Sequence, residues 1–244
     1  MINLVKKIFA LFGIKIVSIS FLKHPPDLDK EFYILYEKCK QHTMTSTERL
    51  FSVYKSAEYL IANNIEGDIV ECGVWKGGSS MMAAFAFKQF GKTDRKFFLY
   101  DTYEGMSSPT EKDKTYYNEP AEKEWEGDKK CYSSIDEVKS NMQSTGYPMG
   151  NIFFIKGKIE DTIPSTLPGK IALLRLDTDW YESTYHEFLH LYPLLCENGV
   201  LIIDDYGFWK GAREATDRYF KEKNIKILLN RIDSTGRIAI KTKT

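Results

Sequence analysis

The sequence has few cysteines, and the four that it has are far apart: Cys39, Cys72, Cys131 and Cys196. No CxxC pair occurs, so the ligand spacing of a structural zinc site is missing. A dense disulfide framework is excluded as well, because such frameworks belong to short secreted chains rich in cysteine. We therefore expect reduced thiols and a cytoplasmic location.

The chain also lacks net charge. It carries 34 lysine and arginine residues against 34 aspartate and glutamate residues, so its formal net charge is zero. A general nucleic-acid-binding protein needs an excess of basic residues to neutralise phosphates. The sequence therefore predicts no nucleic-acid partner.

No apolar run is long enough to span a bilayer. Residues 1–23 are rich in Ile, Leu, Val and Phe, but Lys15 interrupts them, and no small-residue cleavage site follows. We predict an N-terminal helical arm over residues 1–42 that packs on the following domain or on a second subunit. The alternative is a basic amphipathic helix at a membrane surface, which would make the protein peripheral to the membrane.

Strand and helix patterns alternate along residues 43–244, which we assign to a single domain. Such alternation predicts an α/β fold with a mostly parallel, Rossmann-like sheet. Helices are predicted over 28–40, 45–62, 77–90, 134–145, 182–196 and 211–222. Strands are predicted over 68–72, 97–100, 152–155, 171–176 and 200–203, and residues 225–229 and 237–241 are predicted to close the chain as an antiparallel hairpin.

Residues 102–133 interrupt this alternation with about thirty polar and aromatic residues of mixed charge. Loops of this length are usually active-site lids or disordered segments. A disordered linker would not need so many aromatic residues. We therefore predict a lid over an active site.

Acidic residues lie at the end of four of the predicted strands or directly after it. They are Glu71 with Gly73, Asp101, Asp177, and the pair Asp204 and Asp205. In an open α/β sheet, ligands bind beyond the carboxyl ends of the strands. The pattern therefore predicts that these acids point into one crevice.

The first of these segments reads Val-Glu-Cys-Gly-Val-Trp-Lys-Gly-Gly-Ser over residues 70–79. Gly73 permits a tight turn, and Ser79 lies where the next helix begins. A dinucleotide site would instead read GxGxxG. A carboxylate at Glu71 would repel a pyrophosphate but suits the ammonium group of S-adenosylmethionine; a nicotinamide cofactor and a purely structural turn are the alternatives. Asp101 can accept both ribose hydroxyls of such a cofactor, or it can cap the following turn.

The acids Asp177, Asp204 and Asp205 end two neighbouring strands, so parallel pairing would bring them together. Magnesium prefers oxygen ligands of this kind. Three converging carboxylates without a cation would raise one another's pKa. A divalent cation would balance them and lower the pKa of a coordinated hydroxyl. The alternative is that one or two of these acids cap helices.

With these motifs, the sequence resembles the macrocin O-methyltransferase family, the TylF/MycF type that methylates sugar hydroxyls on macrolides. The resemblance runs from about residue 44 to residue 219. Its densest segments are residues 43–50, 70–79, 101–106, 160–164, 175–184 and 204–207. Each is short, but their order and spacing are specific.

The resemblance implies a class I methyltransferase with a seven-stranded sheet, forming a homo-oligomer and depending on magnesium and S-adenosylmethionine. It implies that Asp177, Asp204 and Asp205 hold the metal, and that Glu71 and Asp101 contact the cofactor. Met44 and Thr45 would border the methionine end of the cofactor, and Asp161 would lie near its adenine. Gly73, Ser79 and Asp177 complete the expected cofactor site.

The general base is an open point in this resemblance. The more distantly similar catechol O-methyltransferases carry a lysine three residues after the first acid, where this chain has Trp180. We name Asp177, Asp179 and His186 as candidate catalytic residues. The predicted substrate is a small-molecule sugar or glycoside.

Two other functions remain open on the sequence alone. Asp177-Thr178-Asp179 resembles the DxD motif of metal-dependent glycosyltransferases, which leaves Glu71 and the pair Asp204 and Asp205 unexplained. A binding protein that kept the fold without turnover is the second alternative.

Overall fold

The computed structural model describes residues 9, 11–13, 27–125 and 131–243. Most of the predicted arm and residues 126–130 of the predicted lid lie outside the described residues. The chain divides into two compact units, Met1–Ile34 and Leu35–Thr244. The second unit carries the sheet and all the site residues discussed below.

Helices and strands alternate as the sequence predicts. The helices are α1 Lys30–Cys39, α2 Thr47–Ala62, α3 Gly78–Gln89, α4 Ile135–Ser144, α5 Ile159–Thr162, α6 Tyr181–His190 and α7 Lys210–Glu222. The strands are β1 Asp68–Cys72, β2 Phe97–Asp101, β3 Ile152–Lys156, β4 Ile171–Leu176, β5 Leu195–Ile203, β6 Asn230–Arg231 and β7 Arg237–Ile240.

The strands form one seven-stranded sheet in the order β3-β2-β1-β4-β5-β7-β6. The first five are parallel, and β7 and β6 are antiparallel, which confirms the predicted fold class. Cys72 pairs with Tyr100 on one side and with Leu176 on the other, and Leu176 pairs with Ile203. The residues that follow β1, β4 and β5, and the last residue of β2, therefore lie at the same edge of the sheet.

The core lies on both faces of this sheet. All six residues of β4 are buried, as expected of a strand covered on both sides. Helix α3 is buried from Gly78 to Phe87. On the other face Phe188, Tyr192, Tyr219 and Phe220 pack as an aromatic cluster. Burying each such ring contributes about 1.5–3 kcal/mol relative to leaving it exposed.

Two element boundaries differ from the predictions. The helix predicted over 182–196 ends at His190, and a 3₁₀ turn over Tyr192–Leu194 leads into β5. Pro193 in that turn has no amide hydrogen to continue the α-helical ladder. The strand predicted over 225–229 is wrong, because the chain pairs only at Asn230–Arg231. Its apolar residues Ile225, Ile227 and Leu229 pack against the core from an irregular segment instead.

None of the helices formed by the described residues combines the length and apolarity needed to cross a membrane. None of the four cysteines forms a disulfide in the described part of the chain.

Candidate active site

A cavity of 460 Å³ opens at the carboxyl edge of the parallel strands. Most of the residues predicted for the site line it: Met44, Thr45, Glu71, Gly73, Ser79, Asp101, Asp177, Asp179, Asp204 and Asp205. Asp161 and His186 are not among its lining residues. The acids that end separate strands in the sequence thus meet around one space.

Gly73 forms the tight turn at the end of β1. Its φ is +81°, a left-handed conformation that favours glycine, and a Cβ atom there would overlap the carbonyl oxygen of Asp177. The turn is fixed from the other side by Asp101, whose Oδ2 accepts hydrogen bonds from the amides of Val74 at 2.6 Å and Trp75 at 2.9 Å. The structure therefore shows Asp101 holding the glycine turn while it lines the cavity.

The start of α3 brings the segment before α2 to the cavity. The amide of Gly78 donates to the carbonyl of His42 at 2.8 Å, and a Cβ atom at Gly78 would lie 2.6 Å from Thr43 Cβ. Only a glycine allows the two backbones to come so close. This contact places Met44 and Thr45 at the rim of the cavity, beside Ser79.

Asp177, Asp204 and Asp205 come together as the strand order requires. Each offers one carboxylate oxygen, and these oxygens all lie within 4.8 Å of one another. Asp205 Oδ2 is buried and has no hydrogen-bond partner among the described residues. Burial, followed by the negative charges of Asp179 and Asp204, raises the pKa of Asp205 well above its ordinary value.

The sequence analysis missed Arg175, the buried centre of this cluster. From β4 its guanidinium donates to Glu71 Oε1 at 2.6 Å, Asp177 Oδ2 at 2.7 Å and Asp204 Oδ1 at 2.5 Å. Burial alone would lower its pKa, but Asp177, Asp204 and Glu71 outweigh burial and hold the pKa of Arg175 above its usual range. The signal was present, since Arg175 is the only charged residue in an otherwise apolar strand.

A second arginine, Arg49 of α2, also reaches the cluster. Its Nη1 donates to Asp204 Oδ2, and its Nε donates to Asp233 Oδ2 at 2.9 Å. The Ser46 hydroxyl donates to the same Asp233 oxygen at 2.6 Å. Burial would raise the pKa of Asp233, but these bonds, the amides of the β6–β7 turn and the Arg49 charge lower it to about 2. The hairpin turn thus positions Arg49.

Whether a divalent cation fits the site depends on the balance between its carboxylate and guanidinium groups. Glu71, Asp177, Asp204 and Asp205 supply four carboxylates around Arg175, while Arg49 is shared between Asp204 and Asp233. When these acids are ionised, the cluster carries a net negative charge, which a divalent cation would reduce. The donors are hard oxygens, and Asp205 has an unsatisfied one. The residues fit magnesium.

The two candidate bases lie in different environments. Asp179 has a φ of 66°, lines the cavity, and accepts a hydrogen bond from Trp209 Nε1 at 2.7 Å. His186 lies on α6 with its Nε2 at 2.9 Å from the carbonyl oxygen of Ile163. The structure therefore brings Asp179 to the other site residues and does not bring His186 there.

Asp161 lies in the short helix α5, and its neighbours Lys158, Ile159 and Glu160 line the cavity. The Asp161 amide donates to the carbonyl of Lys158 at 3.1 Å. The structure thus brings the segment, but not the predicted side chain, to the cavity lining.

The described part of the predicted lid is folded against the site. Trp180 Nε1 donates to the Ser107 carbonyl at 2.9 Å, and the Tyr116 amide donates to the Phe208 carbonyl at 2.9 Å. The carboxylate of Asp113, only 1% exposed, accepts hydrogen bonds from Thr110 and from the Tyr181 amide at the start of α6. This segment therefore bridges the loops that follow β4 and β5.

Comparison with known proteins identifies the family. A family model described as Macrocin-O-methyltransferase (TylF) matches residues 38–240. The chain belongs to this family. It is an O-methyltransferase that uses S-adenosylmethionine, and the predicted family, fold class and enzyme class are confirmed. The glycosyltransferase and non-catalytic alternatives are set aside.

Individual relatives agree with this assignment. The chain is 32% identical over 195 residues to the 8-demethyl-8-(2,3-dimethoxy-alpha-L-rhamnosyl)-tetracenomycin-C 4'-O-methyltransferase of Streptomyces olivaceus, covering 80% of this chain and 74% of the relative. It is 29% identical over 195 residues to the mycinamicin III 3''-O-methyltransferase of Micromonospora griseorubida, covering 80% and 76%. The solved structure of the O-methyltransferase NovP superposes with a TM-score of 0.76 at 29% identity, covering 83% of each chain.

Proposed function

We propose that this macrocin O-methyltransferase family member methylates a hydroxyl of a sugar or glycosylated small molecule, with magnesium held by Asp177, Asp204 and Asp205. The convergence of these three carboxylates beside the glycine turn carries the proposal. The names of the relatives support the acceptor class, because one acts on a rhamnosyl tetracenomycin and another on mycinamicin III.

The bound groups would supply the chemistry that side chains lack: a sulfonium-activated methyl group, and a cation that lowers the pKa of a coordinated hydroxyl. The chain's own residues bind and orient. Gly73, Ser79, Met44 and Thr45 line the cavity together and would border the cofactor's methionine end. Glu71 lines the same cavity and accepts hydrogen bonds from Arg175 and Ser80. Burial raises its pKa.

We assign acceptance of the hydroxyl proton to Asp179, because it lines the cavity and lies close enough to Asp205 to raise the pKa of that residue. The bond from Trp209 Nε1 to one of its oxygens fixes the carboxylate's orientation. We propose Asp101 as the ribose contact. The roles predicted for His186 and Asp161, the lid over residues 102–133 and the homo-oligomer remain predictions.

The test is methyl transfer from labelled S-adenosylmethionine to sugars and glycosides, measured with magnesium and with EDTA. Asp205→Asn removes the unsatisfied carboxylate oxygen while keeping the side-chain shape. We expect a loss of turnover of at least about 100-fold, from the loss of charge stabilisation at the reacting oxygen. Cofactor affinity, measured by calorimetry, should stay within a few-fold of the unmodified protein.

The matched control is Asp136→Asn, which changes an acid of α4 whose side chain is 88% exposed. It should leave turnover unchanged. Full activity of Asp205→Asn, or turnover that is insensitive to EDTA, would contradict the metal site. Absence of transfer to every sugar and glycoside would contradict the acceptor class.

A further inference from the structure

A continuous series of aromatic rings leads out of the cavity. It starts at Trp180, whose ring centroid lies 5.0 Å from that of Trp209, and continues to Phe208 at 4.8 Å. From Phe208 it passes to Tyr116 at 6.3 Å and to Tyr117 at 3.9 Å. We call these five residues the aromatic row.

The inner end of the row lies at the cavity that the proposed metal ligands line. Trp180, Phe208 and Trp209 line the cavity. The amides of Phe208 and Trp209 donate to the carbonyl of Asp205 at 3.1 and 3.0 Å, so their backbone is tied to a proposed metal ligand. The outer end lies in solvent, because Tyr116 is 49% and Tyr117 72% exposed.

The outer tyrosines are held in place by their backbone. The Tyr116 amide donates to the Phe208 carbonyl, and the Lys210 amide donates to the Lys114 carbonyl at 2.8 Å. An isolated bridge between Thr115 and Trp209 completes this short antiparallel contact. Two large, exposed rings held side by side on a fixed backbone form the kind of apolar patch that marks a ligand-binding surface. Their continuity with the cavity indicates that the bound molecule enters the active site.

The chemistry of the row selects a neutral ligand with a planar ring. Aromatic faces bind other aromatic rings by offset stacking. Three ammonium groups near the row already have partners: Lys123 pairs with Glu119, Lys112 pairs with Glu182 at 2.6 Å, and Lys210 donates to Asn118 Oδ1. This arrangement does not favour an anionic ligand such as a sugar nucleotide.

We infer that Tyr116 and Tyr117 form a binding site for the aromatic aglycone of the acceptor, outside the cavity that holds the methylated sugar. The inference rests on the proposed function, because it requires a glycoside acceptor. It commits the enzyme to glycosides with a planar ring system, acting after the sugar has been attached rather than on the free sugar. The tyrosines determine acceptor specificity and do not contact the reacting atoms.

The experiment compares two acceptors that share a sugar, methyl α-L-rhamnoside and 4-methylumbelliferyl α-L-rhamnoside. In the unmodified enzyme we expect the aryl glycoside to have a KM about 3- to 10-fold lower, the scale of one or two aromatic contacts. The double variant Tyr116→Ala, Tyr117→Ala should raise the KM of the aryl glycoside until the two acceptors are equal. It should leave kcat, the KM of the methyl glycoside and cofactor affinity unchanged.

Two controls accompany it. The double variant Tyr116→Phe, Tyr117→Phe keeps both rings and should keep the aryl preference. Leu228→Ala removes a side chain that is 74% exposed and outside the cavity lining, and it should change neither KM.

Equal KM values in the unmodified enzyme, or an aryl preference that survives the double alanine variant, would overturn the inference. So would a change of molecular mass by light scattering with equal losses for both acceptors, because the tyrosines would then be a subunit contact. No transfer to either rhamnoside would count against the proposed acceptor class itself, and the inference would fall with it.

Discussion

Glu187 of α6 is fully buried beneath the strand ends and takes no part in the proposed chemistry. The Thr178 hydroxyl donates to its Oε1 at 2.9 Å, while Oε2 has no hydrogen-bond partner among the described residues. Burial raises the pKa of Glu187 to about 8. At neutral pH the folded protein therefore keeps a proton that the unfolded chain has released.

This raised pKa makes stability depend on pH with a definite sign. The contribution is fully favourable below the ordinary glutamate pKa of 4.5 and is lost as the pH rises from there to about 8. At pH 7 the loss is on the order of 2–4 kcal/mol. Glu187→Gln removes the titrating group, so its stability relative to the unmodified protein should increase between pH 5 and pH 8. Urea unfolding at several pH values measures this.

The control is Glu197→Gln, an exposed acid in β5, which should follow the unmodified protein at every pH. A difference between Glu187→Gln and the unmodified protein that stays constant with pH would show that Glu187 is ionised when folded.

The acids of the site could be predicted from the sequence, whereas the two arginines that bind them were not. Each acid directly follows an apolar run, so its place at the sheet edge could be derived from the strand pattern alone. Arg175 carried a readable signal, because a charge inside a buried strand needs a partner. Arg49 carried none, since its partner Asp233 is 184 residues away and meets it only in the folded chain.

Helices α6 and α7 begin at the loops that carry the acids, and one buried side chain lies between their first turns. Asp113 Oδ1 accepts the Tyr181 amide of α6 at 2.8 Å, and a Cβ atom at Gly211 of α7 would overlap that same oxygen. The segment that contains Asp113 therefore sets the spacing of the two helices, and Gly211 leaves room for it.

Gly211→Ala tests this arrangement. Alanine favours helices, so in open space the change would stabilise α7 by about 1 kcal/mol. Here we expect destabilisation of about 1–3 kcal/mol, because the methyl group must displace Asp113 or separate the helices. Thermal unfolding measures the loss, and trypsin should cut faster at Lys112 and Lys114.

Gly150→Ala is the matched control, since a Cβ atom there would meet nothing within 4 Å. If both variants have the same melting temperature and the same cleavage rate, Asp113 does not space the helices.

The order of elements was predictable because apolar runs of strand length alternate with helical patterns. The residues at which the helices and strands end were less predictable. The overlong helix at 182–196 and the misplaced strand at 225–229 both continue an apolar pattern into residues that are apolar for another reason, namely packing against the core. A local run of apolar residues indicates burial, and burial alone does not distinguish a strand from an irregular segment.

Across the whole molecule, the cavity joins the ends of four strands to the segment before α2. A ligand that bridges these elements binds the folded state and not the unfolded chain. At 100 times its dissociation constant, such a ligand stabilises by about 2.7 kcal/mol. For a chain of this size that corresponds to a rise in melting temperature of roughly 5–10 °C.

S-adenosylhomocysteine should produce this rise, and Asp101→Ala should reduce it. Loss of the proposed ribose contact should weaken binding by about 1–3 kcal/mol. The apo variant should also melt at a lower temperature, because Asp101 accepts the amides of Val74, Trp75 and Tyr103. Asp94→Ala, an exposed acid before β2, should change neither value. If the apo variant melts at a lower temperature but the ligand-induced rise is undiminished, Asp101 stabilises the turn and does not bind the cofactor.

The guanidinium of Arg175 has a consequence for how the proposed metal site would be filled. One side chain already joins carboxylates that end three neighbouring strands, so the sheet can assemble in a cell before any divalent cation arrives. With the proposed metal site, newly made protein would then accumulate in the ion-free form and bind the ion afterwards. The rate of product formation would follow the concentration of the ion in the surroundings, while the amount of folded protein would not.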